Sequence, residues 1–273
     1  MQIIDQPKAL QKLLTQEGSS IGFVPTMGAL HLGHKSLIEA ARKENDIVVV
    51  SIFVNPTQFL EGEDLDAYPR REEADKKVCE LSGVDYLFYP TAEMMYGIDE
   101  VSIVAPNVRG YIMEGNSRPG HFSGVLTVVS KLLNIVSPTR AYFGKKDAQQ
   151  LMLIETMVEN LFMNVEIVPM DTLRDKDGLA LSSRNTYLSL QEREEALNII
   201  KSLRMAAQMV MRQELDVQII KTAMLEVLNP LEVEYVTIVN RQFQAIDEIE
   251  IGNTIVLVEA LSGETRLLDN IWI

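Results

Sequence analysis

The run Ile47-Val48-Val49-Val50-Ser51-Ile52-Phe53-Val54 is almost wholly apolar and rich in β-branched side chains. Successive side chains of a strand point to opposite faces, so a strand apolar at nearly every position is one buried on both. That calls for helices above and below a sheet. Shorter strands of the same kind are expected at residues 21–24, 84–89, 141–143 and 165–168. Apolar positions at helical spacing fall between them. They predict helices over residues 7–14 (with Asp5 as its cap), 35–44, 70–81, 124–136, and from just after Asp147 to about Glu159. Strands alternating with helices specify an α/β fold, a doubly wound parallel sheet. Two further readings are less regular: a strand over residues 101–104, and a polar loop over residues 114–122.

Beyond about residue 187 the pattern changes. Helices are expected over residues 189–212 and 217–228, and strands over 233–239, 254–259 and 265–269. Strands joined by turns as short as Ser262-Gly263 suggest a small antiparallel sheet. The expected division is residues 1–176 as the larger domain and 177–273 as a smaller C-terminal α+β domain.

In parallel sheets of this kind ligands sit beyond the carboxyl ends of the strands. Three stretches fall there and are expected to share one crevice: Pro25-Thr26-Met27-Gly28-Ala29-Leu30-His31-Leu32-Gly33-His34, Asn55-Pro56-Thr57-Gln58, and Gly144-Lys145-Lys146-Asp147. The first joins a strand to a helix, and the free N–H groups of a helix start favour an anion. Gly28 and Gly33 let the backbone approach it. His31 and His34 can donate to phosphate oxygens, more strongly when protonated. Two other readings of the histidines are helix capping and metal ligation, but a zinc site needs further ligands, and only His121 and Cys79 remain. Ser182-Ser183-Arg184 reads as a phosphate clamp or as a plain polar loop. Asn55 and Gln58 are turn formers or amides that orient a carboxylate. Arg118 pairs with Glu114 or faces a ligand, and His121 reads as a structural partner. No serine–histidine–aspartate constellation, Gly-x-Gly-x-x-Gly or Walker pattern is present.

The net charge of −14 argues against nucleic acid or an anionic membrane as partner, and an anionic substrate would need a locally basic pocket. The lone Cys79 allows no intramolecular disulfide, and no leader pattern or membrane-length apolar run is seen. The expectation is a soluble, cytoplasmic protein.

Residues 25–34 resemble the nucleotide-binding motif of the pantothenate synthetases (pantoate–β-alanine ligases), within the nucleotidylyl transferases marked by His-x-Gly-His. Ser51-Ile52-Phe53-Val54-Asn55-Pro56-Thr57-Gln58-Phe59, Arg118-Pro119-Gly120-His121-Phe122, Phe143-Gly144-Lys145-Lys146-Asp147 with Gln149-Gln150, and residues 177–185 match the same family in its order. The resemblance implies a Rossmann-like fold and a homodimer formed through the larger domain. The implied reaction is ATP-dependent condensation of (R)-pantoate with β-alanine through pantoyl adenylate, with Mg2+ accompanying ATP.

Carried over by position, His34, His31 and Lys146 are catalytic. His34 is the donor to the leaving group and Lys146 reaches the α-phosphate. Met27, Gly28, Ala29, Leu30, Leu32 and Gly33 line the nucleotide with the histidines. Gly144 and Asp147 belong to the ribose side, Leu173 is a backbone contact near adenine, Lys145 and Leu181 also bind ATP, and Ser182, Ser183 and Arg184 hold the departing phosphates. Gln58 and Gln150 grip pantoate, and Gln58 also meets β-alanine. Asn55, Glu114 and Arg118 match further site positions, Asp75 is a neighbour of magnesium or β-alanine, and Lys145 stands where many relatives carry glutamate. The competing readings are a nucleotidylyl transferase with a phosphate-bearing acceptor, which would call for more basic residues than Gln58 and Gln150, and a nucleotide-binding protein without catalysis.

Overall fold

The computed structural model describes residues 1–15 and 18–273. Two compact units account for them: Met1–Gly144 with Leu153–Met170, and Lys145–Met152 with Asp171–Ile273. The second unit is thus not one continuous stretch, since the residues just after the Gly144 strand end group with it.

In the first unit six strands, counted among the described residues, form one parallel sheet. They are β1 (Gln2–Ile4), β2 (Ile21–Thr26), β3 (Ile47–Ile52), β4 (Tyr86–Phe88), β5 (Arg140–Gly144) and β6 (Glu166–Met170), in the order β1-β4-β3-β2-β5-β6. All six residues of β3 are buried, as its unbroken apolar run requires. On one face Val24, Val48, Val50, Ile52, Leu87 and Tyr142 pack with Leu37, Ile38 and Ala41 of α2 (Leu32–Glu44) and Cys79 of α3 (Glu72–Leu81). Pleat alternation turns Phe23, Val49 and Phe88, all fully buried, to the opposite face. There α6 (His121–Val136) packs on β2 and against α1 (Pro7–Leu14). From β2 the chain winds outward through β3 and β4, then returns to place β5 and β6 on the other side of β2. The order therefore reverses between β2 and β5, and the carboxyl end of that pair is where such a sheet opens a crevice.

Several local expectations need correcting. Gln6, not Asp5, precedes α1 at the cap position, and no side-chain cap bond forms there. Strand β1 was not anticipated: three residues hold no periodicity, and it exists only through pairing with β4. Residues 101–104 form no strand, and Val101 and Val104 lie exposed. The expected polar loop holds a short helix, α5 (Glu114–Ser117), and α6 begins at His121. A further short helix, α4 (Ala92–Met95), follows β4. Helix α2 starts three residues earlier than its apolar pattern, because His31 caps it. Helix α7 (Ala148–Asn160) lies between β5 and β6.

In the second unit β7 (Glu232–Asn240), β8 (Thr254–Ser262) and β9 (Thr265–Trp272) form an antiparallel sheet in that order. The last two run further than their alternation shows. Helices α8 (Leu190–Met211) and α9 (Val217–Leu228) cover one face through Ile199, Leu203, Ile220, Met224, Val256 and Val258. Ser189 caps α8 in a reciprocal box with Glu192.

Candidate active site

The loop between β2 and α2 is built around two anchors, the first of them buried and the second half-buried. Asp75, on α3, is 2% exposed. Its Oδ2 accepts from the Ala29 N–H at 2.8 Å and its Oδ1 from the Leu30 N–H at 2.7 Å. Burial raises the Asp75 carboxyl above its ordinary range, and the two N–H bonds only partly oppose that. The loop turns through left-handed backbone at Gly28 (φ 88°) and at Ala29 (φ 49°). A Cβ on Gly28 would meet Asp75 Oδ2 at 3.2 Å. At Ala29 the strain is borne by a residue whose N–H is tied to the carboxylate.

The second anchor is the histidine pair. His31 Nδ1 accepts from the Gly33 N–H at 3.1 Å, and His34 Nδ1 accepts from the His31 N–H at 3.3 Å. Capping and phosphate contact are thus not alternatives. A ring that accepts through Nδ1 carries its proton on Nε2, so each neutral imidazole keeps one N–H donor. An imidazolium has no acceptor nitrogen, so these two caps are made by neutral rings. The ring centroids lie 4.0 Å apart.

Gln58 is held in the same unit, in a 3-10 turn (Pro56–Gln58) just after β3. Asn55 Nδ2 donates to Gln58 Oε1 at 3.1 Å, and Gln58 Nε2 donates to Met27 Sδ at 3.1 Å. Asn55 Oδ1 in turn accepts from Tyr96 Oη–H at 2.7 Å and from the Thr57 N–H at 3.4 Å. Those donors settle which end of each amide is oxygen. The Gln58 carbonyl also meets His121 Nδ1 at 2.7 Å. Behind it Arg118 does not pair with the Glu114 carboxylate. Its Nε and Nη2 donate to Glu63 Oε1 and Oε2, each at 2.6 Å, and its Nη1 lies 2.9 Å from His121 Nε2. Burial works to raise the Glu63 carboxyl, but the bonds from Arg118 and the Leu60 N–H carry it below its ordinary value. Gly124 of α6 presses on this turn: a Cβ there would lie 2.3 Å from the Thr57 carbonyl oxygen. The first unit thus brings together Met27, residues 28–34, Asn55, Gln58 and Asp75. Gly144 ends β5.

The second unit holds the other expected residues. Lys145 Nζ pairs with Asp171 at 2.6 Å, and Lys146 Nζ lies 3.2 Å from Asp147 Oδ1. The carbonyls of Lys145 and Lys146 both accept from Asn270 Nδ2, at 2.9 and 2.7 Å. Gln149 is buried and Gln150, one residue on, is half-buried, as neighbours on different helix faces should be. The Leu173 carbonyl accepts from the Leu181 N–H at 3.0 Å, closing a hairpin about a turn whose Gly178 N–H donates to Asp175 O. Ser182 Oγ accepts from the Arg184 N–H at 3.3 Å and caps a 3-10 turn (Ser183–Tyr187), which leaves its hydroxyl proton able to donate. Asn270, Glu63, Tyr96 and the anchoring role of Asp75 carried no local signal in the sequence.

A family model described as pantoate-beta-alanine ligase matches residues 2–272. The pantothenate synthetase of Sulfurimonas denitrificans is 61% identical over 273 residues, covering all of both chains. That of Aliarcobacter butzleri is 56% identical over the same span. Among solved structures, pantothenate synthetase from Thermus thermophilus superposes with a TM-score of 0.95 at 40% identity, covering 99% of each chain. The pantoate-beta-alanine ligase of Francisella tularensis, solved with beta-gamma ATP and beta-alanine, gives 0.82 at 36% identity, over 100% of this chain and 97% of that one.

Proposed function

The chain belongs to the pantoate–β-alanine ligase family, and on that premise we propose how its residues divide the work. The reaction is the ATP-dependent condensation of (R)-pantoate with β-alanine to pantothenate, releasing AMP and pyrophosphate. A carboxylate does not give up oxide to an amine, so pantoate first attacks the α-phosphorus of ATP and pyrophosphate leaves. The β-alanine amine then attacks the pantoyl adenylate carbonyl, and AMP leaves. Neither step needs a protein nucleophile; each needs alignment of like-charged reactants and donors toward the charge that builds on phosphate.

The observation that carries the assignment is the capped histidine pair. Both Nδ1 atoms are committed to backbone N–H groups at the α2 start, so both rings carry their proton on Nε2, beside a helix N-terminus. We assign His34 to the leaving phosphates and His31 to their neighbours, along the wall formed by Met27, Gly28, Ala29, Leu30, Leu32 and Gly33. We assign Gln58, with its amide fixed by Asn55, to pantoate and then to β-alanine, and Gln150 to pantoate. Lys146 draws the α-phosphate and the carboxylate together, Gly144 and Asp147 take the ribose side, Leu173 lies near adenine, and Lys145 and Leu181 also meet ATP. Ser182, Ser183 and Arg184 hold the departing pyrophosphate.

Among the described residues no three His, Cys, Asp or Glu side chains gather as a metal cage, and both Asp75 oxygens already accept backbone bonds. That donor set fits an ion carried in by the nucleotide, and we place Mg2+ on ATP, where it offsets triphosphate charge. A homodimer and a cytoplasmic setting belong to the same proposal. The first rests on the family resemblance, the second on that and on the lone Cys79. Among the described residues no helix is long and apolar enough to cross a membrane.

The deciding assay is exchange of labelled pyrophosphate into ATP without β-alanine. Exchange that depends on pantoate is the expected result. Exchange driven by another acid but not by pantoate overturns the substrate assignment, and none with any acid favours a binding protein. Lys146→Ala should depress exchange far more than ATP binding.

A further inference from the structure

We propose that Asn270, oriented by Trp272, is a positioning residue for Lys146; this rests on the reading that Lys146 acts on the α-phosphate. Asn270 lies on β9 and is 3% exposed. One –NH2 group reaches two successive carbonyls, those of Lys145 and Lys146. The Lys145 carbonyl belongs to the peptide plane before the Lys146 Cα, and the Lys146 carbonyl to the plane after it. Fixing both planes fixes φ and ψ of Lys146, and with them the direction in which its side chain leaves the backbone.

The orientation of the amide is not left open. Trp272 Nε1–H, a donor only, reaches Asn270 Oδ1 at 2.9 Å, and backbone carbonyls only accept. The amide therefore cannot be reversed without losing three bonds. Trp272 is itself placed by pairing with Ile255 on β8, and Lys145 Nζ lies 5.5 Å from its ring centroid. Asn270 is fixed from its own backbone as well: its N–H donates to Asp269 Oδ1 at 2.8 Å, and Arg174 Nη2 donates to its carbonyl at 3.3 Å. A loop residue proposed to steer a phosphate is thus held by a strand 124 residues away. The two –NH2 hydrogens take one carbonyl each, so the bonds that satisfy the buried amide are the same bonds that constrain Lys146.

Misplacing a reacting group by about 1 Å costs up to about 100-fold in rate, and a flexible lysine recovers part of that. For Asn270→Ala in pantoate-dependent pyrophosphate exchange the expectation is therefore a fall in kcat of about 10-fold, with the ATP KM within about two-fold. Trp272→Phe keeps an aromatic ring, removes the N–H, and should show a smaller fall of the same kind. The distinguishing readout is the double variant: on a Lys146→Ala background, Asn270→Ala should lower kcat no further, because its effect passes through that lysine. A multiplicative loss, or wild-type kcat in Asn270→Ala beside an impaired Lys146→Ala, overturns the proposal. Normal turnover in Lys146→Ala overturns instead the reading on which it rests. Urea unfolding of the full chain tests whether each variant is folded; if Asn270→Ala is not, Trp272→Phe with unchanged kcat overturns the proposal.

Discussion

Asp75→Asn tests how the nucleotide loop is held. The carboxylate accepts two backbone bonds, one per oxygen, from Ala29 and Leu30. Asparagine keeps the shape but one acceptor becomes a donor. One bond survives, changed from charge-assisted to neutral, at a loss of about 1 kcal/mol. The other N–H then faces an –NH2 and is left unpaired in a buried site, which costs about 1–3 kcal/mol. Against this, the amide avoids burying a charge, a penalty large enough here to raise the carboxyl above its ordinary 3.8. The net expectation is a loss of about 2 kcal/mol, roughly thirty-fold in the folding equilibrium. The loop should also relax if the –NH2 falls opposite Ala29, because that left-handed residue, at a strain of about 1–3 kcal/mol, then loses the bond that holds it.

The measurements are urea unfolding and amide hydrogen exchange at Ala29 and Leu30. Their sign with pH is fixed. A raised folded pKa means that the Asp75 contribution is complete below its ordinary 3.8 and is lost as pH rises through the folded value. The asparagine variant has no such slope, so its deficit should widen toward acid. Unchanged stability together with unchanged protection of both amides would refute the anchoring role, and a deficit that shrinks in acid would refute the burial account.

Gly124→Ala should raise the pantoate KM more than the ATP KM, since its Cβ would drive into the Thr57 carbonyl at 2.3 Å and shift the turn that carries Gln58. Arg118→Leu leaves the Glu63 carboxylate without its bidentate partner and should destabilise the fold by about 3 kcal/mol in urea unfolding. Because Glu63 sits below its ordinary 4.5, its contribution is present above that pH and lost as pH falls through the folded value, so the same variant should flatten the acid limb of stability. Burial, then the Asp75 charge, push the Cys79 thiol up to about 12, so stability should fall between about pH 9 and 12 and fall less in Cys79→Ala. Burial also pushes Tyr142 to about 12, so Tyr142→Phe should remove a further part of that alkaline loss.

What was legible in the sequence is what neighbours in the chain decide. The β3 run had to be buried on both faces, and the strand–loop–helix join with its two histidines had to bring N–H groups to one place. The boundaries that went astray were set otherwise. Strand β1 exists because Gln2, Ile3 and Ile4 pair with Tyr86, Leu87 and Phe88. Residues 101–104 have β-branched side chains but no strand to pair with, and propensity alone does not make a strand. The start of α2 moved to Leu32 because a histidine stood in for the usual oxygen cap.

The supports of the candidate site were illegible for one shared reason. Ala29 meets Asp75 across 46 residues, Arg118 meets Glu63 across 55, and Asn270 meets Lys146 across 124. None of these spacings has a period, and an isolated Asp, Glu or Asn is most often a solvated surface residue. The residues with a readable motif are those assigned to the substrates; the residues that hold them are anonymous until the chain is folded. The histidine pair is the exception. In His31-Leu32-Gly33-His34 one nitrogen of each ring builds the helix start and the other carries the ring proton, so in the proposed reading a single tautomer serves both structure and chemistry. That coupling explains why the motif is compact enough to read. A capping nitrogen must lie within three residues of its N–H, and the donor proposed to meet phosphate is carried by the same ring.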